Sequence, residues 1–250
     1  MAWIALFKKE LRLSGLTFLT FLLFEILLMG MGIYVAYRSY RLDTIAYVGI
    51  MLIVFHSFYL CGYMLFNAFL ERKTMYLWLH SPLPGSELLA AKLAAGLVNM
   101  TASLLIAGAY TWMGYLYSIT IQEHLRHLHS YRAAVIVVIY IYGVALGLGI
   151  LTILLWLLVA SLRTRTGKWA YLIGIALVIA AIYLLKKLND WGVLKLVNNW
   201  APLPRSFSKF WIGNAFHTPI YFGSFVVEGL LITVLFILSA WIMDHWLEVS

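Results

Sequence analysis

Apolar residues dominate this chain in long uninterrupted runs, and polar residues gather between the runs. Six runs are long enough for a helix to cross a hydrocarbon core, which takes about 20 residues. They cover Leu16 to Tyr37, Thr44 to Leu70, Leu88 to Ile119, Ala133 to Leu162, Trp169 to Leu185 and Tyr221 to Trp246. The third and fourth exceed a perpendicular crossing, so they are expected to tilt or to project beyond the membrane. The first run is preceded by "MAWIALFKKELRLSG", in which Trp3, Ile4, Phe7 and Leu11 recur at helical spacing while Lys8, Lys9 and Arg12 fall on another side. That pattern predicts an amphipathic helix lying in the interface. Positive charges ahead of a shorter apolar core and a small-residue cleavage site, the marks of a secretory signal, do not occur, so the first run is expected to stay in the mature protein.

Between the fifth and sixth runs the pattern changes. Trp191, Trp200, Phe207, Phe210, Trp211, Phe216 and Tyr221 are interleaved with breaks at Gly192, Pro202, Pro204, Gly213 and Pro219. Amphipathic rings favour the headgroup level and the breaks permit only short helical pieces, so this segment is expected to dip into the outer interface.

Composition agrees with a lipid solvent. Of 250 residues 64% are hydrophobic and 11% charged, with mean hydropathy +0.91. The 18 Lys and Arg exceed the 10 Asp and Glu, but they stand at the ends of apolar runs, where headgroups anchor them, and no nucleic-acid partner is implied. With the N-terminus inside, the basic residues divide nine and nine between the two sides. The tight triplets beside the spans favour that orientation. The lone Cys61 excludes an internal disulfide and is read as a small packing residue.

The chemistry of an enzyme is missing from the pattern. The only Gly-Lys pair, Gly167-Lys168, is followed by Trp169 and lacks the glycine of a phosphate-binding loop, so this chain is not expected to hydrolyse ATP. Neither HExxH nor GxSxG occurs. The connector "QEHLRHLHS" offers Glu123, His124, His127 and His129, residue types that zinc accepts, but beside Arg126 they are read as a wet interfacial patch and no metal is expected. Within the spans, Glu25, His56 and Glu228 stand out. A charge at mid-membrane costs about 2.5 to 3.5 kcal/mol on insertion scales, so each should face protein or a watery cavity. Two roles stay open: a cargo path, or hydrogen bonding between helices. Gly143 and Gly147 have a spacing that lets membrane helices approach closely, within the chain or between chains.

The connector after the second run is longer than a join requires. Glu71, Arg72 and Lys73 leave the membrane; Thr74 can cap a short helix through Met75, Tyr76, Leu77, Trp78, Leu79 and His80; Ser81 and Pro82 must end it. Gly85 permits a turn, Ser86 can cap the next helix, and Glu87 suits the positive end of its dipole. The apolar and aromatic face of the short helix is suited to a partner's groove.

These residues, with the "SELLAAK" run from Ser86 to Lys92, resemble the permease subunits of ABC type-2 transporters. In that family the connector is a cytoplasmic coupling helix that inserts into a separate ATPase. Lys73 and Ala91 stand where the family often has glycine. The resemblance implies an all-α membrane protein: one permease domain over residues 1–250, six transmembrane helices, an N-terminal amphipathic interfacial helix, the coupling helix, and short re-entrant helices between spans five and six. It implies both termini in the cytoplasm of a bacterial-type cell and an inner-membrane location. Partners would be two copies of an ABC ATPase, which bind the ATP and Mg, and a second permease copy, with a homodimer preferred over a heterodimer. This chain would bind no cofactor. The expected function is ATP-driven export of an amphipathic peptide or a hydrophobic antibiotic-like cargo. Two alternatives from other classes are an ion-coupled secondary carrier using Glu25 and Glu228, and a non-transporting membrane scaffold.

Overall fold

A computed structural model describes residues 2–70, 83–118, 122, 130–191, 200 and 222–246. Every regular element among them is helical. Among the described residues five helices are long and apolar enough to cross a membrane: Gly15–Ser39, Asp43–Leu70, Gly85–Tyr117, Val137–Arg163 and Phe222–His245. Leu16, Leu19, Leu23, Phe24 and their like stay exposed along them, as lipid-facing side chains should. The chain is a multi-pass helical membrane protein. The fifth predicted run lies on a helix too, Ala170–Asp190.

The chain forms two compact units, Met1–Thr152 and Ile153–Ser250. In the first, α1 (Ala2–Leu13) meets α2 (Gly15–Ser39) at Ser14. Backbone bonds from Ser14 N to Glu10 O and from Phe18 N to Ser14 O, both 2.9 Å, carry the helical ladder through the join. Tyr40, in the left-handed region at φ 54°, ends α2. The second span is α3 (Asp43–Phe55), a 3-10 turn (His56–Phe58) and α4 (Tyr59–Leu70). The third is α5, Gly85–Tyr117. Its cap is Pro84 and not Ser86: Pro84, extended at ψ 151°, offers its carbonyl to the amides of Glu87 and Leu88. Proline has no amide to lose at that position, and Ser86 falls inside the first turn. At 33 residues α5 is about 50 Å long, beyond the roughly 30 Å of hydrocarbon.

Contacts order these three spans. Going up α3 and α4, Asp43, Gly49, His56 and Tyr63 meet Ser118, Thr111, Ser103 and Gly96 going down α5. The second and third spans are therefore antiparallel. On α1 and α2, Glu10, Ser14, Glu25 and Met29 meet Lys92, Asn99, Ser103 and Tyr110 in ascending order, so the first and third are parallel. Small residues set the spacing: a Cβ on Gly114 would lie 2.8 Å from the Cα of Ala46, so only glycine admits this approach. The first part of α6 (Ser130–Thr166) joins the unit through Thr152 Oγ1, which donates to Cys61 Sγ at 3.1 Å, and through Tyr142 and Thr101, whose hydroxyls are 2.6 Å apart.

In the second unit, the end of α6 buries Ile153, Leu154 and Leu157, and a turn at Gly167, φ 61°, leads to α7 (Ala170–Asp190). Val159 Cγ2 would stand 3.0 Å from a Cβ on Gly174 of α7. The last helix, α8 (Phe222–His245), buries Ser239, Ala240, Ile242 and Met243.

Candidate functional site

Viewed down its axis, α5 carries Lys92, Asn99, Ser103 and Tyr110 in one stripe. At 100° per residue, offsets of seven, eleven and eighteen return to within about 20° of the starting direction. All four are buried, and each meets a polar group of α1, α2 or the second span.

At the start of the stripe, Lys92 Nζ lies 2.9 Å from Glu10 Oε2. The amphipathic α1 thus buries one of its charges against α5, while Trp3 and Ile4 are exposed. A side chain that a helical wheel consigns to water is withdrawn because a cation from another helix meets it. Next, Asn99 Nδ2 donates to Ser14 Oγ at 2.8 Å, and Thr17 Oγ1 donates to Asn67 Oδ1 at 3.1 Å. Tyr63, fully buried, has Ser14, Asn67, Lys92 and Glu10 around its hydroxyl. This cluster joins α1, α2, α4 and α5 at the ends of α4 and α5 that flank residues 71–82.

Further along, Ser103 Oγ bonds Glu25 Oε2 and lies 3.1 Å from His56 Nε2, while His56 Nδ1 lies 2.8 Å from the Leu52 carbonyl. Tyr59 stacks on the imidazole, ring centroids 5.9 Å apart and 5° from parallel. Glu25 and His56 are 5% exposed, so each has exchanged water for hydrogen bonds from protein. Beyond them, Tyr110 Oη donates to the Met29 carbonyl at 3.1 Å.

Of the three intramembrane residues singled out from sequence, Glu25 and His56 thus meet through Ser103. Glu228 stands half-buried on α8 of the second unit. Residues Glu71 to Pro82, the histidines 124, 127 and 129, and positions 192–199 and 201–221 of the aromatic segment lie outside the described residues. No group of three or more potential metal ligands occurs among the described residues. Sequence reasoning missed Glu10, Asn67, Lys92, Asn99 and Ser103 as members of a site. The signal that could have found them is the spacing of Lys92, Asn99, Ser103 and Tyr110 on one face of an apolar helix.

The class defined by these helices and their buried seam is a multi-pass helical membrane protein. The chain is 26% identical over 177 residues to an uncharacterized protein of Bacillus subtilis (strain 168), YhcE, a similarity covering 69% of this chain and 68% of that one. No family model matches the chain. No solved structure matches it.

Proposed function

We propose that the chain is the membrane-spanning subunit of an ATP-driven ABC exporter, taking its energy from a separate ATPase that docks on residues Glu71 to Pro82. One observation carries this reading: both helices that flank the connector are tied to α1 and α2 by buried polar bonds. Asn67, three residues before the end of α4, holds Thr17; Lys92, early in α5, holds Glu10. A displacement of the connector is thereby delivered to three spans at once, which a loop that only joined two helices would not need.

On this reading the chain has six spans, with both termini in the cytoplasm and re-entrant helices between spans five and six, in a bacterial inner membrane. Two copies of it, as a homodimer, would work with two ATPases. ATP binding would close the ATPase pair, the connector would move spans two and three, and an amphipathic peptide or hydrophobic antibiotic would leave outward. The test replaces Leu77 and Trp78 together with Asp in vesicles containing the permease and its co-purifying ATPase. Stimulated ATP hydrolysis should fall to the rate of the ATPase alone while the permease stays folded. An unchanged stimulated rate rejects the coupling assignment.

The buried Glu25, Ser103 and His56 favour a second reading, a secondary carrier. It requires substrate uptake driven by an ion gradient without ATP, abolished by Glu25→Gln.

A further inference from the structure

The hydrogen bonds around Ser103 can be counted. The Leu52 carbonyl oxygen can only accept, so His56 Nδ1 carries a hydrogen and donates to it at 2.8 Å. That leaves His56 Nε2, 3.1 Å from Ser103 Oγ, and Glu25 Oε2, on the same oxygen. The Ser103 hydroxyl has one proton and donates once. If it donates to Glu25, the hydrogen on the Ser103–His56 bond must come from Nε2, and the imidazole is doubly protonated. If it donates to Nε2, the hydrogen on the Ser103–Glu25 bond must come from the carboxyl, and the imidazole is neutral. Both complete arrangements hold one ionisable proton between Glu25 and His56 and have no net charge. They interconvert when two protons shift together: the Nε2 proton to Ser103 Oγ and the Ser103 proton to Glu25.

Without that proton, a carboxylate and a neutral imidazole compete for one hydroxyl hydrogen. One bond is then unfilled and one negative charge is left inside the membrane, each of which is costly there. We propose that Glu25, Ser103 and His56 form an intramembrane site that holds one shared proton per chain. This goes beyond both transport readings, since it concerns the resting occupancy of the site and requires no particular energy source.

The surroundings suit that role. Glu25 Oε1 and the Tyr59 hydroxyl are buried without a hydrogen-bond partner among the described residues, so the site has polar capacity beyond the bonds it makes. Its facing titratable groups are Tyr59, stacked on His56, and Tyr63 one turn on, whose own neighbours are Lys92 and Glu10. The site joins α2, α5 and the 3-10 turn that interrupts the second span. Losing the proton therefore removes one of the two hydrogen bonds by which Ser103 links those elements.

The full chain in lipid nanodiscs, with 15N-labelled histidine, provides the test. On titration from mildly acidic to alkaline buffer, the His56 nitrogens and the infrared carboxyl-to-carboxylate change of Glu25 should report one common step as the proton leaves. The Glu25 signal is identified by its absence in Glu25→Gln. That variant supplies an uncharged amide donor to Ser103, so its His56 step should no longer coincide with that of the native chain. In Ser103→Ala the two steps of the otherwise native pair should separate. Separate steps in the native chain, or a His56 titration identical with and without Glu25, would overturn the proposal. The native titration, with its Glu25 signal assigned through Glu25→Gln, decides the matter even if Ser103→Ala fails to fold, and neither outcome depends on ATP or cargo.

Discussion

Lys92 and Glu10, 82 positions apart in sequence, meet at 2.9 Å with both side chains buried. The pair fastens the amphipathic first helix to the start of the third span. Lys92→Met would leave the Glu10 carboxylate buried without this cation, and breaking one side of a buried pair costs on the order of 3 to 5 kcal/mol. Removing both charges, with Glu10→Gln and Lys92→Met together, should restore a large part of that loss. Detergent-induced unfolding of the two variants and the native chain measures both effects, and equal losses in the single and double variants would show that the pair is not what holds α1.

Gly114 is a second fastening point, of shape and not of charge. A Cβ there would lie 2.6 Å from the Ala46 amide nitrogen, with backbone and not a pliable side chain in the way. Gly114→Ala should therefore push α3 and α5 apart at a cost of about 1 to 3 kcal/mol. Gly30→Ala is the control, since nothing stands within 4 Å of that Cβ, and its effect should stay below about 1 kcal/mol. A crosslink between cysteines introduced on the facing helices, formed in Gly30→Ala and weakened in Gly114→Ala, reads the separation directly.

Tyr110→Phe removes a single hydroxyl, the one donating to the Met29 carbonyl. Interhelical hydrogen bonds in membranes average about 0.6 kcal/mol and reach about 1.7, so a loss in that range is expected from the same unfolding measurement. Met29, Leu52 and Ala107 pack around the ring, and Phe keeps that packing. A loss well above the range would mean that the hydroxyl orders the backbone of α2 as well.

Five of the six runs coincide with helices long and apolar enough to cross a membrane, and they were legible because hydrocarbon imposes one rule on every residue of a crossing helix, a rule that appears as an uninterrupted apolar run. Glu25 and His56 stood out for the same reason, as exceptions to it. Ser103 did not, because a serine in a membrane helix can satisfy itself on its own backbone and so marks nothing. Glu10 was hidden differently: in α1 a glutamate beside Lys8, Lys9 and Arg12 reads as one more wet charge. Ser86 has the residue type of a helix cap, yet Pro84 takes the position because its fixed φ and extended ψ already point its carbonyl along the new helix.

By itself, then, the sequence determined a lipid solvent, helical secondary structure and the residues that had to find a partner away from lipid. These follow from transfer free energies and from spacing along one chain. Which partner each found was decided by tertiary structure: α2 lies parallel to α5, the second span lies antiparallel to it, and glycines let the backbones close. Only that arrangement puts Glu10 on Lys92, Ser14 on Asn99 and Glu25 on Ser103, because a hydrogen bond depends on distances of about 3 Å between groups that the chain separates by roughly 80 residues.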